Sequence, residues 1–303
     1  MQAPTISVII PVYNRIAVMT RTLRSLQAQT MEKSSFEVII ADDGSTEDVQ
    51  GVLATFPDLS TTYCRQPDLG FRVAAARNLG IAHASGELLV FNDNGMLLSP
   101  TALARHAALH AGRDDLVLLG YMHGTSFTSD AEAIRALLDA HSLEHAIAEM
   151  QRIGGMGDGR EGYMTRFGRD LSQWYIPWLG LWGGHFSVGA SFLRKHGIAF
   201  DERFTRWGGE DHDFGIQLCR AGAHYQLCSD IRVVHYPAPG HIENDVGNER
   251  FRAMYEKVKQ YITNKHRTED VMLWRQLDSS ANDPAERERV LRMNHQAKRS
   301  DER

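Results

Sequence analysis

Apolar runs alternate with stretches of helical spacing over the first 122 residues. ISVIIPVYN (6–14) is β-rich and apolar, as expected of a strand buried on both faces. In RIAVMTRTLRSLQAQT, Ile16, Met19, Leu23 and Leu26 fall on one helical face, and Asn14 stands where it can cap that helix. FEVIIADDGS (36–45) reads as a second strand ending in two acids and a turn. A helix over 46–56, a strand at TTYCRQ (61–66), an Ala-rich helix at RVAAARNLGIAHA (72–84) and a strand at GELLVF (86–91) follow. A helix at 100–111 and the strand DLVLLGYM (115–122) complete the series. Such alternation predicts an α/β fold around a doubly wound parallel sheet. Ligands of these sheets bind beyond the carboxyl ends of the strands, where Asp42, Asp43 and Asp93 lie.

The pattern then changes. Residues 125–150 predict one or two helices, and 151–190 are rich in Gly and aromatics with little periodicity. Trp174, Trp178, Trp182 and Trp207 crowd into one segment, which suits either a core or a loop on which a sugar stacks. From about 243 the chain is charged and reads as helical, and its last residues, MNHQAKRSDER, read as a disordered end. The predicted organisation is a unit over 1–242, split into a nucleotide-binding half (1–122) and an acceptor or catalytic half (123–242), followed by a charged helical extension, 243–303.

Composition narrows the classes. With 303 residues, 43% of them hydrophobic, the chain is long enough for one large α/β domain with an appendage. A net charge of -5 lacks the basic excess of a nucleic-acid binder. No apolar stretch approaches transmembrane length, and MQAPTISVIIPVYN lacks the basic region and cleavage site of a signal peptide. Three cysteines without CxxC spacing fit a reduced, cytoplasmic location; the charged tail also allows peripheral contact with an anionic membrane surface or pairing into a homodimer.

A first strand followed by a helix invites a dinucleotide reading, but Val12-Tyr13-Asn14-Arg15 occupies the turn where the glycine fingerprint would be. No GxxxxGK[ST] is present either. The anchors at the strand ends are acids, and a carboxylate accepts from a uracil N3–H or a ribose hydroxyl. A diphosphate would then need a cation, a basic side chain or a helix N-terminus.

Four blocks, VIIPVYNR, VIIADDGSTED, GFRVAAARNLGIAHASGELLVFND and RWGGEDHDFGIQLCRAG, stand in this order over roughly residues 5–237. Together they resemble family 2 of the inverting GT-A glycosyltransferases. WGGEDHD resembles in particular the members that share the carboxy-terminal motif of β-1,4-galactosyltransferases and chondroitin-polymerase-type enzymes. The resemblance implies a GT-A, mostly parallel sheet flanked by helices, and a nucleotide-sugar donor, taken as a UDP-sugar. It also implies roles for single residues. Pro11, Tyr13 and Arg15 would line the donor pocket, Asp43 would accept the uracil N3–H, and Asp42 would support that turn. Arg72, Arg77, Asn92 and Asp93 would lie along the ribose and diphosphate. Asp211 would be the general base and Glu210 would bind acceptor or sugar. Trp182, Gly183, Gly184, His185, Trp207, Gly208 and Gly209 would form the acceptor side. Asp93 and His235, the latter in RVVHYP, would hold a divalent metal, Mn²⁺ or Mg²⁺; His212, His185 and His241 are weaker candidates.

Gly95 interrupts that picture. In FNDNGM it occupies the place of the second acid of the DxD motif. A metal held there has lost one anionic ligand, so it should bind mainly as a complex with the nucleotide.

Plainer readings stand beside these. Asp42-Asp43-Gly44-Ser45 and Asp93-Asn94-Gly95 are good turn sequences. Glu210, Asp211 and Asp213 suit a helix N-terminus through its dipole. Arg77 fits a structural ion pair, and His235 fits an ordinary half-buried strand. Two rival functions remain: a nucleotidyltransferase, and a non-catalytic nucleotide-sugar-binding relative.

Overall fold

The computed structural model describes residues 5–126, 129–237 and 249–279. The chain begins with β1 (Ile6–Val12), α1 (Ile16–Gln27), β2 (Phe36–Asp42), α2 (Val49–Leu53), β3 (Thr61–Arg65), α3 (Val73–His83) and β4 (Leu88–Asn92). It continues with β5 (Met96–Leu98), α4 (Ala102–His110), β6 (Leu116–His123), α5 (Ala131–Ala140), α6 (Leu143–Ile153) and α7 (Glu161–Phe167). Then come β7 (His185–Gly189), α8 (Ala190–His196), α9 (Glu210–Arg220), β8 (His224–His235), α10 (Glu249–His266) and α11 (Glu269–Ser279).

The strands form one 8-stranded sheet in the order β3-β2-β1-β4-β7-β6-β8-β5. β1, β2, β3 and β4 pair in parallel, and so do β6 and β8. The sheet is mostly parallel, as expected, with two exceptions: β7 runs antiparallel between β4 and β6, and β5 runs antiparallel to β8. β7 is the strand that the apolar pattern does not announce: HFSVG is only five residues long and lies in a Gly- and aromatic-rich stretch. It carries no apolar run by which a buried strand is recognised.

Alternation along the central strands builds the two sides of the sheet. Val8, Ile10 and Val12 face Met19, Leu23 and Leu26 of α1, while Ile9, Ile39 and Ala41 face the other way, with Ala74 and Ala76 of α3 in the core there. The α1 start differs from expectation. Asn14 and Arg15 both adopt positive φ, and Arg15 is the cap residue. The Asn14 side chain instead accepts from the backbone N–H of Thr46 and Glu47, and Glu47 Oε2 accepts from Ile16 N at 2.8 Å. The first two strand-end loops are thereby tied to each other.

The described part of the tail packs on the rest of the chain. Ile262 of α10 and Val271, Leu273 and Trp274 of α11 are buried in the same core as β4 and α9. Trp274 meets Trp178 edge-on with ring centroids 5.6 Å apart. Among the described residues no helix is long and apolar enough to cross a membrane.

Candidate active site

The strand ends carry the acids to one rim. Asp42 is buried: Oδ1 accepts from Ser45 N at 2.8 Å and Oδ2 from the Tyr63 hydroxyl at 2.6 Å. Its carboxylate therefore closes the turn that follows β2. Asp43 accepts from Gln66 Nε2 at 2.5 Å and from Arg72 N at 2.8 Å. Burial pushes its carboxyl pKa up, and these two bonds hold it down in part. Pro11 lies in β1 opposite Ala41, whereas Tyr13 is exposed and its hydroxyl donates to Asp68 at 3.0 Å. The Arg72 guanidinium reaches Glu202 at 3.4 Å, and Arg15 is half-buried at the head of α1.

The rim is joined to the first turn of α9 by one buried cation. Arg77, on α3, donates from Nη2 to Asp93 Oδ1 at 2.8 Å and from Nη1 to Glu210 Oε1 at 3.0 Å. Phe200 lies under its guanidinium at 5.2 Å. The two carboxylates hold Arg77 firmly charged despite its burial. Glu210 is pushed the other way: burial and the neighbouring Asp211 raise its pKa, and Arg77 opposes them. Gly183 is required beside this pair, since a Cβ there would lie 2.6 Å from Arg77 Nη2.

Asp211 takes a different position from Glu210. Its Oδ2 accepts from Gly183 N at 3.0 Å and its Oδ1 from His212 N at 2.8 Å. The side chain keeps 17% of its surface exposed, against 8% for Glu210. It sits in the first turn of α9, after Gly208 and Gly209 in left-handed conformations of φ 88 and 92°.

Asp93 follows β4, with its N–H bonded to Gly184 O at 2.9 Å and its own carbonyl accepting from Met96 N. Met96 is paired with His235 in β8, and Tyr236 N donates to Gly95 O. His235 is electrostatically close to Asp93, which opposes the downward push of burial on its imidazole. No group of three His, Cys, Asp or Glu side chains among the described residues is placed to hold a metal ion. Asp93 and His235 have the hard-oxygen and imidazole character that Mn²⁺ accepts, so the donor set fits a cation completed by diphosphate oxygens. Gly95 has φ 106°, and a Cβ there would lie 3.1 Å from Val18.

The residues predicted for the acceptor side divide. Trp182, Trp207 and Gly208 are half-buried and Gly183 and Gly184 border Arg77 and Asp93, whereas His185 and Gly209 are enclosed. The His185 ring bonds Asn92 and His106. Trp174 and Trp178 belong to the core. His212 packs between Trp178 and Trp274. His241 lies outside the described residues.

Two arrangements went unforeseen. Arg160 and Asp158 form a fully buried pair, with Arg160 also donating to Gly120 O and Gly180 O, and Asp158 accepting from Met122 N. Asp-Gly-Arg reads locally as a surface turn, and only the tertiary setting distinguishes it. Asp213 of the α9 first turn is held by Lys265 and His266 of α10, each at 2.8 Å. Its signal was available as a third acid in WGGEDHD, although its partners lie more than fifty residues away.

Comparisons with known proteins bear on the family and the fold. Residues 7–154 match the profile of Glycosyl transferase family 2. The chain is 39% identical over 218 residues to validoxylamine A glucosyltransferase of Streptomyces hygroscopicus subsp. jinggangensis (strain 5008), covering 71% of this chain and 51% of that protein. The chain spans about half the length of this relative and of validoxylamine A glucosyltransferase from S. hygroscopicus subsp. limoneus. The fold resembles S. aureus TarS 1–349 in complex with UDP-GlcNAc, with a TM-score of 0.59 at 19% identity over 86% of this chain and 65% of that one. It also resembles the mannosyltransferase PcManGT of Pyrobaculum calidifontis in complex with GDP-Man and Mn²⁺, with a TM-score of 0.57 at 19% identity over 79% and 59% of the two chains. The fold is accordingly of GT-A type, an α/β sheet flanked by helices. With a family profile over its first half and a glucosyltransferase relative along most of its length, the comparisons support membership of glycosyl transferase family 2 for this chain.

Proposed function

We propose that this chain is an inverting glycosyltransferase that moves a sugar from a nucleotide-sugar donor, read as a UDP-sugar, to an acceptor hydroxyl, with Asp211 as general base. The observation that carries the reading is Arg77, whose two Nη atoms join Asp93 on the strand-end side to Glu210 beside Asp211. Arg77 thus links a rim of acids suited to a nucleoside with a second carboxylate suited to deprotonate an acceptor. Likeness to WGGED-type members of the family supports the assignment of the second carboxylate.

Inverting transfer is an in-line displacement. The base takes the acceptor proton as the diphosphate leaves from the opposite face. Asp211 suits the first task because it is partly open to solvent and held in orientation by Gly183 N and His212 N. Asp43 would receive the base of the nucleotide, once Gln66 or Arg72 N yields one of its oxygens. Asp93 and His235 would hold Mn²⁺ or Mg²⁺ together with the donor, and the cation would offset charge on the leaving diphosphate. Residues 1–242 are read as the transferase unit and 243–303 as its extension. The apolar faces of α10 and α11 are used on the chain's own core, so a homodimer through them would meet through their charged faces.

The test is a panel of UDP-, GDP- and dTDP-sugars with and without Mn²⁺, following release of the nucleoside diphosphate. Release of pyrophosphate from nucleoside triphosphates would instead identify a nucleotidyltransferase. Binding of donor without any release, in the presence of acceptor extracts, would identify a non-catalytic relative.

A further inference from the structure

A line of buried polar side chains runs behind the Asp93 turn, from α4 to the end of β4. His110 Nε2 lies 2.8 Å from Ser187 Oγ, and Ser187 Oγ lies 2.7 Å from His106 Nδ1. His106 Nε2 lies 2.9 Å from His185 Nε2, and His185 Nδ1 lies 2.8 Å from Asn92 Oδ1. Asn92, His106, His185 and Ser187 are all 0% exposed. Room for the His185 ring is left by Gly120, where a Cβ would lie 2.7 Å from its Cδ2.

Chemistry fixes the direction of every bond in this line. Asn92 Nδ2 donates to Met96 O at 3.0 Å and to Asp93 O at 3.3 Å. Turning the amide over would set its oxygen against those carbonyls, so Oδ1 must face His185 and accept. His185 therefore carries its proton on Nδ1. Burial pushes the pKa of both His185 and His106 down, so each ring is neutral and His185 Nε2 is an acceptor. His106 must then donate from Nε2 and accept at Nδ1. Ser187 gives its hydroxyl proton to His106 and accepts from His110 Nε2–H. One end, an amide that cannot reverse, thus orders four groups behind it.

We propose that His110, Ser187, His106 and His185 form a unidirectional hydrogen-bonded relay whose role is to position, through Asn92, the turn that carries Asp93. Asn92 clamps that turn at Asp93 O and Met96 O, while Gly184, next to His185, holds Asp93 N. These are positioning residues, not catalytic ones, and their link to activity rests on the donor-site role proposed for Asp93. The relay itself does not depend on that role.

The tautomers can be read directly from long-range ¹H–¹⁵N spectra of the ligand-free protein at neutral pH. His185 should be the Nδ1–H form, and His106 and His110 the Nε2–H form. A doubly protonated His106 or His185, or the opposite tautomer at either, overturns the relay. The second measurement compares His106→Gln with His106→Phe. Glutamine can donate to His185 and accept from Ser187, whereas phenylalanine fills space and does neither. The amide protons of Asp93 and Met96 should exchange about tenfold faster in the Phe variant and near the wild-type rate in the Gln variant, with Ile9 in β1 unchanged. Equal behaviour of the two variants would mean that only ring packing matters, and would overturn the proposal. Should the Phe variant fail to fold, Ser187→Ala removes the donor to His106 with little change of volume, and faster Asp93 and Met96 exchange is again required. UDP with Mn²⁺ is then titrated into wild type and both His106 variants. A selective loss of affinity of about fivefold in the Phe variant extends the relay to the donor site. If wild-type protein binds no nucleotide, the donor reading fails, and the tautomers and exchange rates still decide the relay.

Discussion

Asp93 and Glu210, 117 positions apart in the chain, bind the two Nη atoms of the same guanidinium, that of Arg77, at 2.8 and 3.0 Å. The charge at the centre of this site is therefore supplied from α3, a helix whose alanines otherwise let it lie close to the sheet. Removing it would leave two carboxylates facing each other, one of them buried. Arg77→Met should destabilise the protein by about 3–5 kcal/mol, as expected when one partner of a buried ion pair is lost. Urea unfolding of the variant measures this, and a change below about 1 kcal/mol, typical of exposed pairs, would refute the buried role.

Asp211→Asn should reduce transfer by about 10²–10⁴ while leaving donor affinity nearly unchanged. The amide keeps an oxygen for Gly183 N and loses only the acceptor for the neighbouring His212 N. Rates within a few-fold of wild type would remove Asp211 from the base role and direct attention to Glu210.

Asp43→Ala should weaken UDP binding by roughly 1.5–3 kcal/mol, the worth of a charged hydrogen bond. Gln66 and Arg72 N lose their acceptor at the same time, so part of the loss should appear as a looser 66–72 loop. Calorimetry gives the affinity, and proteolysis within that loop reports the loosening. Unaltered UDP affinity would take the nucleoside contact away from Asp43.

The buried histidines make stability depend on pH. Burial depresses His185 to about 3 and His110 to about 4, below the ordinary value of 6.5. In acid the unfolded chain binds more protons than the folded one, so their contribution is complete above pH 6.5 and falls as pH drops toward those depressed values. Glu210, raised by burial, slopes the opposite way above its ordinary range. The comparison of wild type with His110→Gln isolates the part due to His110. Between pH 7 and 5 the urea midpoint of wild type should fall more steeply than that of the variant; parallel curves would contradict a neutral, half-buried His110.

Restoring the missing acid of the metal motif should fail. Gly95→Asp places a side chain at φ 106°, with its Cβ 3.1 Å from Val18. Left-handed strain of this kind costs about 1–3 kcal/mol. The variant should melt earlier and need no less Mn²⁺ for UDP binding than wild type. A lower Mn²⁺ requirement at unchanged stability would show that the turn accommodates the carboxylate.

The sequence made the first half of this fold legible because its strands are buried on both faces and written as unbroken apolar runs. ISVIIPV and FEVIIAD become β1 and β2 at nearly the expected bounds. β7 was hidden because five residues, HFSVG, are too few to show a period. The acids at the strand ends could be ranked by position alone. The link through Arg77 could not, since a lone arginine in an alanine-rich helix carries no mark of the two carboxylates that enclose it. The reach of α10 into Asp213 was equally silent, because charge in a helix reads as solvated until its partner is known.

The antiparallel strand β7 also dictates an order of assembly on the ribosome. Among the described residues β4 and β6 do not pair with each other and are bridged by His185–Gly189. At synthesis rates of about 5–20 residues per second, β4 waits several seconds with one edge open, which exposes it to other nascent chains. Arg77 cannot meet Glu210 in that interval, since α9 arrives after the bridge. A nascent chain stopped before residue 185 should therefore be a sticky half-sheet, and the Asp93–Arg77–Glu210 contact should appear in a single late step.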